Sequence, residues 1–172
     1  MRQLLLLRHA KSAWDDPELD DHARPLNARG RVAAGLLRGV MAEVGLTPDL
    51  VLVSSARRAL QTLEALQPFA AAPTVRPLDA LYLATAGQLL DVLRAVPEAT
   101  RCMLVVGHNP GLHDLAMLLG GGTPHSEDER RLQEGFPTGA LAGFGVRGTW
   151  AELAPGGGHL DRFVDPRDLV PT

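Results

Sequence analysis

The sequence predicts an α/β fold: a single three-layer α/β/α domain with a mostly parallel central sheet, helices on both faces and an antiparallel edge. Three observations predict it. Apolar runs of strand length alternate with stretches of helical periodicity, the rhythm that builds parallel sheets from βαβ units. The runs Leu4-Leu5-Leu6-Leu7, Val51-Leu52-Val53 and Leu104-Val105-Val106 are apolar throughout, the pattern of short buried strands. The chain has 172 residues, 45% of them hydrophobic, enough for one sizeable core without metals or disulfides. Repeats, low-complexity segments and linkers are absent, so residues 1–172 read as one domain. Aromatic residues make up only 4%, so Leu, Val and Ala must fill the core.

Gln3–Leu7 reads as the first strand. Trp14–Pro25, with Asp15, Asp16, Asp20 and Asp21, is polar and reads as a loop. Asn27 is placed to N-cap a helix that ends before Gly45, with Val32, Leu36, Leu37, Val40, Met41 and Val44 on one apolar face. Leu50–Val53 is the second strand, and Ser55 the candidate cap of a helix through Leu60, Leu63 and Leu66. Thr74–Leu78 is a short strand. Thr85 is placed to cap a helix that turns Leu89, Leu90 and Leu93 inward. Cys102–Val106 is a further strand. Asn109-Pro110 then reads as N-cap and first residue of a helix ended by Gly120-Gly121-Gly122. Thr123–Glu134 is charged and irregular, a surface excursion. Leu141–Val146 and Thr149–Leu153 flank Arg147-Gly148 as a hairpin at the sheet edge. Gly156-Gly157-Gly158 lacks the strand-to-helix context of a nucleotide loop and reads as a turn.

Chemistry concentrates at strand ends, where open α/β sheets build their sites. The first strand runs into Arg8-His9, the second into Ser54-Ser55-Ala56-Arg57-Arg58, and a later one into Gly107-His108. Two histidines and at least two arginines so placed are the inventory for attacking a phosphoryl group and holding its charge. The formal net charge of −3 gives no support for nucleic acid or an anionic membrane as partner. The one cysteine, Cys102, sits in an apolar strand and reads as a buried, inert thiol. No internal disulfide can form, which suits a reducing compartment. There is no signal-peptide layout and no apolar run near the ~20 residues that span a bilayer, so a cytoplasmic protein is expected. His22, His113, His125 and His159 lie at unrelated spacings, and His108 and His113 are not four apart, so no metal and no other cofactor is expected.

Five segments resemble, in order, the histidine phosphatase superfamily, and within it the SixA-type phosphohistidine phosphatases. They are Arg8–Trp14 (with Ala10 where the family's Arg-His-Gly signature has glycine), Arg24-Pro25-Leu26-Asn27, Ser54–Thr62, Gly107–Leu112 and Pro137-Thr138-Gly139-Ala140. The resemblance implies that His9 is the nucleophile and carries a phosphohistidine intermediate. It implies a phosphate pocket of Arg8, Arg58 and His108, with Arg58 preferred over Arg57 because the Arg-Ala-X-Gln-Thr pattern aligns on it. Such a division is sound chemistry. A neutral imidazole is a good nucleophile near pH 7. Fixed cationic donors suit the charge spread over three equatorial oxygens.

The general acid is the ambiguous member. Asp79 is the nearest match to the family's acid, and reads equally as a loop aspartate. An imidazole leaving group tolerates a poor acid, because the N–P bond is labile. Ser12 and Thr138 are candidate phosphate contacts. Lys11 reads as exposed, Asn109 as a helix cap, and Arg24 as a partner of Asp21 or a site residue. Asp15 stands where sugar-phosphate mutases of the superfamily carry asparagine, which argues against a mutase. The expected activity is a metal-independent phosphatase acting on a protein phosphohistidine, such as that of a signalling phosphorelay domain. The alternatives are a small-molecule phosphomonoesterase and a non-catalytic phosphate- or phosphoprotein-binding module. A nucleotide-binding oxidoreductase is disfavoured, since no glycine-rich fingerprint follows the first strand.

Overall fold

A computed structural model describes residues 1–169. Six strands form one sheet: β1 (Arg2–Arg8), β2 (Leu50–Ser54), β3 (Thr74–Leu78), β4 (Cys102–Gly107), β5 (Leu141–Val146) and β6 (Gly158–Val164). Their spatial order is β3-β2-β4-β1-β5-β6. β1 to β4 run parallel, and β5 and β6 add the antiparallel edge. The helices are α1 (Ala28–Glu43), α2 (Arg57–Leu66), α3 (Ala86–Arg94), α4 (Gly111–Gly120) and α5 (Glu127–Glu134). This is the α/β/α architecture the sequence predicts.

The strand period of two splits the core into two layers. Leu4, Leu6, Leu50, Leu52, Met103 and Val105 face one side, with Leu89 and Leu93 of α3, Leu115 and Leu119 of α4 and Leu132 of α5. Leu5, Leu7, Val51, Val53, Leu104 and Val106 face the other, with Leu37 and Met41 of α1 and Leu63 and Leu66 of α2. Cys102 lies buried in the second layer, and burial with nearby Asp49 pushes its thiol up to about 12. Among the described residues no helix is long and apolar enough to cross a membrane.

Caps appear largely where the polar residues announce them. Asn27 accepts from Gly30 N at 2.8 Å, and Thr85 closes a full capping box with Gln88. Four sequence expectations are corrected. The buried face of α1 is Gly30, Ala34, Leu37 and Met41, whereas Val32 is 60% exposed. Small residues let the helix approach the chain closely: a Cβ on Gly30 would stand 2.2 Å from the Lys11 carbonyl oxygen. α2 is capped by Ala56 without a side-chain bond, and Ser55 Oγ lies 2.9 Å from His22 Nε2 instead. The 123–134 stretch is not all irregular: Ser126 accepts from Glu129 N and starts α5, which buries Leu132.

The last correction is the hairpin partner. β5 pairs with Gly158–Val164, not with Thr149–Leu153. The latter is a turn whose Trp150 is fully buried, with Nε1 donating to Thr100 O at 2.9 Å. The backbone N–H groups of Trp150 and Ala151 go to the Glu98 carboxylate, so they are spent outside any ladder.

Candidate active site

Topology places the site before any side chain is considered. β1 and β4 are neighbours, yet the chain leaves β1 for α1 on one face of the sheet and leaves β4 for α4 on the other. Their carboxyl ends therefore open onto a crevice at a topological switch point, the usual position for a ligand in open α/β sheets. Arg8-His9 stands at one lip and His108 at the other. β5 runs antiparallel to β1, so the residues preceding β5 arrive at the same end. Arg8 N donates to Ala140 O at 3.1 Å, and Gly139 N to the Arg8 and His9 carbonyls at 3.0 Å each. Gly139 takes φ +78°, which accounts for glycine there.

His9 is buried and fixed from both sides. Its Nδ1 donates to Ala10 O at 2.7 Å, which leaves the lone pair on Nε2. Arg58 Nε approaches that nitrogen at 3.4 Å. Ala10 N donates to Thr62 Oγ1 at 2.9 Å, and Thr62 Oγ1 donates to Arg58 O at 2.8 Å. Gln61 Oε1 accepts from Leu26 N at 2.8 Å. The Gln-Thr pair of α2 thus ties down the loop after His9. Burial, and the cations Arg58, Arg8 and Arg24, lower the His9 imidazole to about 4, so it is neutral at pH 7.

Arg58 is 3% exposed and oriented by Asp21. Its Nη1 donates to Asp21 O at 2.7 Å and its Nη2 to Asp21 Oδ2 at 3.1 Å. Asp21 also accepts from Arg24 Nε at 3.1 Å and from the Tyr82 hydroxyl. The Tyr82 hydrogen bond, with the two arginines, holds that carboxyl down at about 2. Arg24 Nη1 in turn donates to Ser12 Oγ at 2.7 Å and stacks 3.4 Å over the Trp14 ring.

His108 lies with its ring 5.1 Å from that of His9, and its Nε2 is 2.7 Å from Ser54 Oγ. Burial, His9 and Arg58 lower it to about 3. Two buried nitrogens of this cluster lack a hydrogen-bond partner among the described residues: Arg8 Nε and the Nδ1 of His108. Buried polar groups in native folds are seldom left so. Two orphans beside one cationic cavity mark a place for anionic oxygens.

That cavity, of about 260 Å³, is lined by Arg8, His9, Ser12, Arg58, His108 and Thr138, all six expected from the sequence. Lys11, Trp14, Arg24, Leu83 and Asn109 complete it. Asp79 is not among the lining residues; it is exposed at the start of the 3-10 turn Asp79–Leu81. Arg57 is exposed, with one 3.5 Å bond to Ala23 O, in keeping with the choice of Arg58. Asn109 accepts from His113 N at 3.2 Å, although α4 begins one residue later than expected, at Gly111 after Pro110. Tyr82 and Ser54 were not singled out from the sequence. Tyr82 carries no motif signal. Ser54 sits in a matching segment, but its neighbour His108 is brought to it only by the pairing of β2 with β4.

The comparisons with known proteins agree with this geometry. A family model described as histidine phosphatase superfamily (branch 1) matches residues 4–82. An uncharacterised Mycobacterium tuberculosis protein, Rv1276c, is 39% identical over 163 residues, 94% of this chain and 100% of that one. A Nakamurella multipartitia protein assigned as phosphohistidine phosphatase SixA superposes with a TM-score of 0.84 at 31% identity, over 96% of each chain. The protein histidine phosphatase SixA complexed with tungstate gives 0.78 at 26% identity, over 98% of this chain and 99% of that one. The likeness runs along nearly the whole chain and includes both histidine-bearing strand ends: the chain belongs to the histidine phosphatase superfamily, in its SixA-type branch.

Proposed function

We propose that this chain is a metal-independent phosphatase that passes the phosphoryl group of a protein phosphohistidine through His9 Nε2 to water. The observation that carries the reading is the state of His9. It is a neutral imidazole whose Nδ1 proton is committed to Ala10 O, with its Nε2 lone pair beside Arg58 in a cationic cavity. In the first step the Nε2 pair attacks phosphorus and the substrate N–P bond breaks. The leaving imidazole keeps that bond's electrons and takes a proton from solvent. In the second step water attacks, the His9 N–P bond breaks, and the pair returns to Nε2 as phosphate departs with the water's oxygen. Arg8, Arg58 and His108 hold the equatorial oxygens in both steps.

Two features favour a protein-borne imidazole as leaving group. Trp14 and Leu83, 76% and 55% exposed, line the cavity and give its rim an apolar character suited to a protein surface. Asp79 lies outside the cavity, and an imidazole leaving from a labile N–P bond asks little of an acid. A SixA relative solved with tungstate, a tetrahedral oxyanion, supports a phosphate-like ligand for this fold.

The test is phosphate release from a phosphohistidine-bearing protein and from a general phosphomonoester, both with a chelator present. The reading expects release from phosphohistidine that His9→Ala abolishes. Preference for the ester replaces the substrate class. Release that stops on chelation removes the metal independence. Tight phosphate binding without turnover means a binding module.

A further inference from the structure

We propose that Ser54 is a positioning residue that sets the tautomer of His108: its hydroxyl donates to Nε2 and so keeps the imidazole proton on Nδ1. What that proton is used for rests on the phosphatase reading above; the tautomer itself does not.

The assignment follows from counting protons around one buried hydroxyl. Ser54 ends β2 and is fully buried. Its Oγ has two neighbours within hydrogen-bond distance among the described residues: Ala56 N at 3.2 Å and His108 Nε2 at 2.7 Å. The backbone N–H of Ala56 can only donate, so it uses an acceptor site of the oxygen. The single hydroxyl proton then has one acceptor available, Nε2. Were Nε2 itself protonated, Oγ would receive two N–H groups and its own proton would be buried with nowhere to go, which native structures avoid.

A doubly protonated ring is disfavoured by the surroundings. The groups facing His108 are Arg58, Arg8, His9 and the Tyr82 ring, its centroid 5.5 Å from that of the imidazole; among the described residues Asp21 is the anion that opposes them. With the ring neutral and Nε2 accepting, the proton is on Nδ1, the nitrogen that has no hydrogen-bond partner among the described residues. An Nδ1–H donor on His108, which lines the same cavity as Arg8, suits an oxyanion. An orphan lone pair there would face an anion and repel it.

The two histidines then divide the work by opposite tautomeric locks. The Ala10 carbonyl holds the His9 proton on Nδ1 and frees an Nε2 lone pair for attack. The Ser54 hydroxyl blocks His108 Nε2 and leaves an Nδ1–H to donate. One side chain presents electrons and the other a proton, 5.1 Å apart ring to ring.

The experiment is a long-range ¹H–¹⁵N correlation spectrum of the full chain at pH 7 with ¹⁵N-labelled histidine, His108 being assigned by loss of its signals in His108→Gln. The expected result is a protonated Nδ1 and a bare Nε2. A protonated Nε2 in the unaltered protein overturns the proposal whether or not any variant folds. Ser54→Ala should move the His108 population toward Nε2–H and weaken orthovanadate binding by about tenfold or more, the loss expected for one charge-assisted hydrogen bond. Ser54→Thr, which keeps the hydroxyl, should restore both. Weaker vanadate binding with an unchanged tautomer would reduce Ser54 to a structural cap, and the proposal fails. Failure of the function reading looks different: an Nδ1–H tautomer with no phosphate release leaves this inference standing and removes the phosphatase.

Discussion

Arg58 is the residue on which the site's geometry turns. Its guanidinium spends Nη1 and Nη2 on Asp21 and brings Nε to His9 Nε2. A lysine keeps the charge but cannot form that fork. Arg58→Lys should therefore lower turnover by about 10²–10³, the loss typical of one oxyanion donor. Arg57→Ala, at an exposed side chain with one long bond, should stay within about twofold of the parent. Steady-state kinetics on both variants, with circular dichroism to confirm folding, checks the pair; equal losses would place the wrong arginine in the site. Asp79→Asn is informative in the same assay. A working general acid is worth about 10²–10⁴, whereas an exposed residue outside the cavity predicts a change below about threefold on phosphohistidine; a loss of 10² would make Asp79 the acid.

At this scale the site was legible where chemistry and sequence proximity coincide. Arg8, His9 and His108 are delivered directly by strand ends, and Arg58 by a motif that makes it the second residue of a helix. Ser54 and Tyr82 were not legible, because each acts on a residue far along the chain. Ser54 meets His108, and Tyr82 meets Asp21, only once the sheet order is known.

Among the elements, α1 shows how helical periodicity misleads. Counting apolar side chains selects Val32, Leu36, Leu37, Val40, Met41 and Val44; Leu37 and Met41 are buried, but Val32 and Val44 are exposed, and the buried face is completed by the small residues Gly30 and Ala34, which let the helix press on the backbone at Lys11. Size, not hydropathy, decides the face there, and a hydropathy pattern does not register it. α5 was missed for the opposite reason: a single buried leucine in a charged segment gives no periodicity, although Ser126 and Glu129 carry the spacing of a capping box. Two glycines of α1 make the first point testable. A Cβ at Gly30 would stand 2.2 Å from the Lys11 carbonyl, and Lys11 lies two residues from His9. Gly30→Ala should cost about 2–3 kcal/mol, as overpacking does, and reduce activity by displacing the His9 loop. Nothing lies within 4 Å of the corresponding atom at Gly35 in the same helix, so Gly35→Ala should stabilise by about 0.5–1 kcal/mol and leave turnover unchanged. Urea unfolding and kinetics on the two variants measure both signs.

For the whole molecule, the fold keeps two imidazoles neutral inside a cationic crevice, and this cost is set against stability in a pH-dependent way. The folded chain holds His9 at about 4 and His108 at about 3, both below the ordinary value of 6.5. Between those limits the unfolded chain binds protons that the folded chain refuses. Stability must then be complete above about pH 6.5 and decline as pH falls toward 4, with a slope near pH 5 of about 2 kcal/mol per pH unit for two such groups. Asp21 acts with the same sign in a lower window. Its carboxyl, held at about 2 against an ordinary 3.8, contributes stability that is fully present above its ordinary value and is lost progressively as pH falls from there through 2, so it is silent between pH 5 and 7. Urea midpoints at pH 7, 6 and 5 should therefore fall steadily in the parent. They should fall much less in the double variant His9→Gln, His108→Gln, which has no imidazole to titrate in the crevice. Parallel declines in the two proteins would assign the acid sensitivity to other groups. A flat parent curve would mean that the crevice admits the protons, and with them a charged, non-nucleophilic His9 at mildly acidic pH.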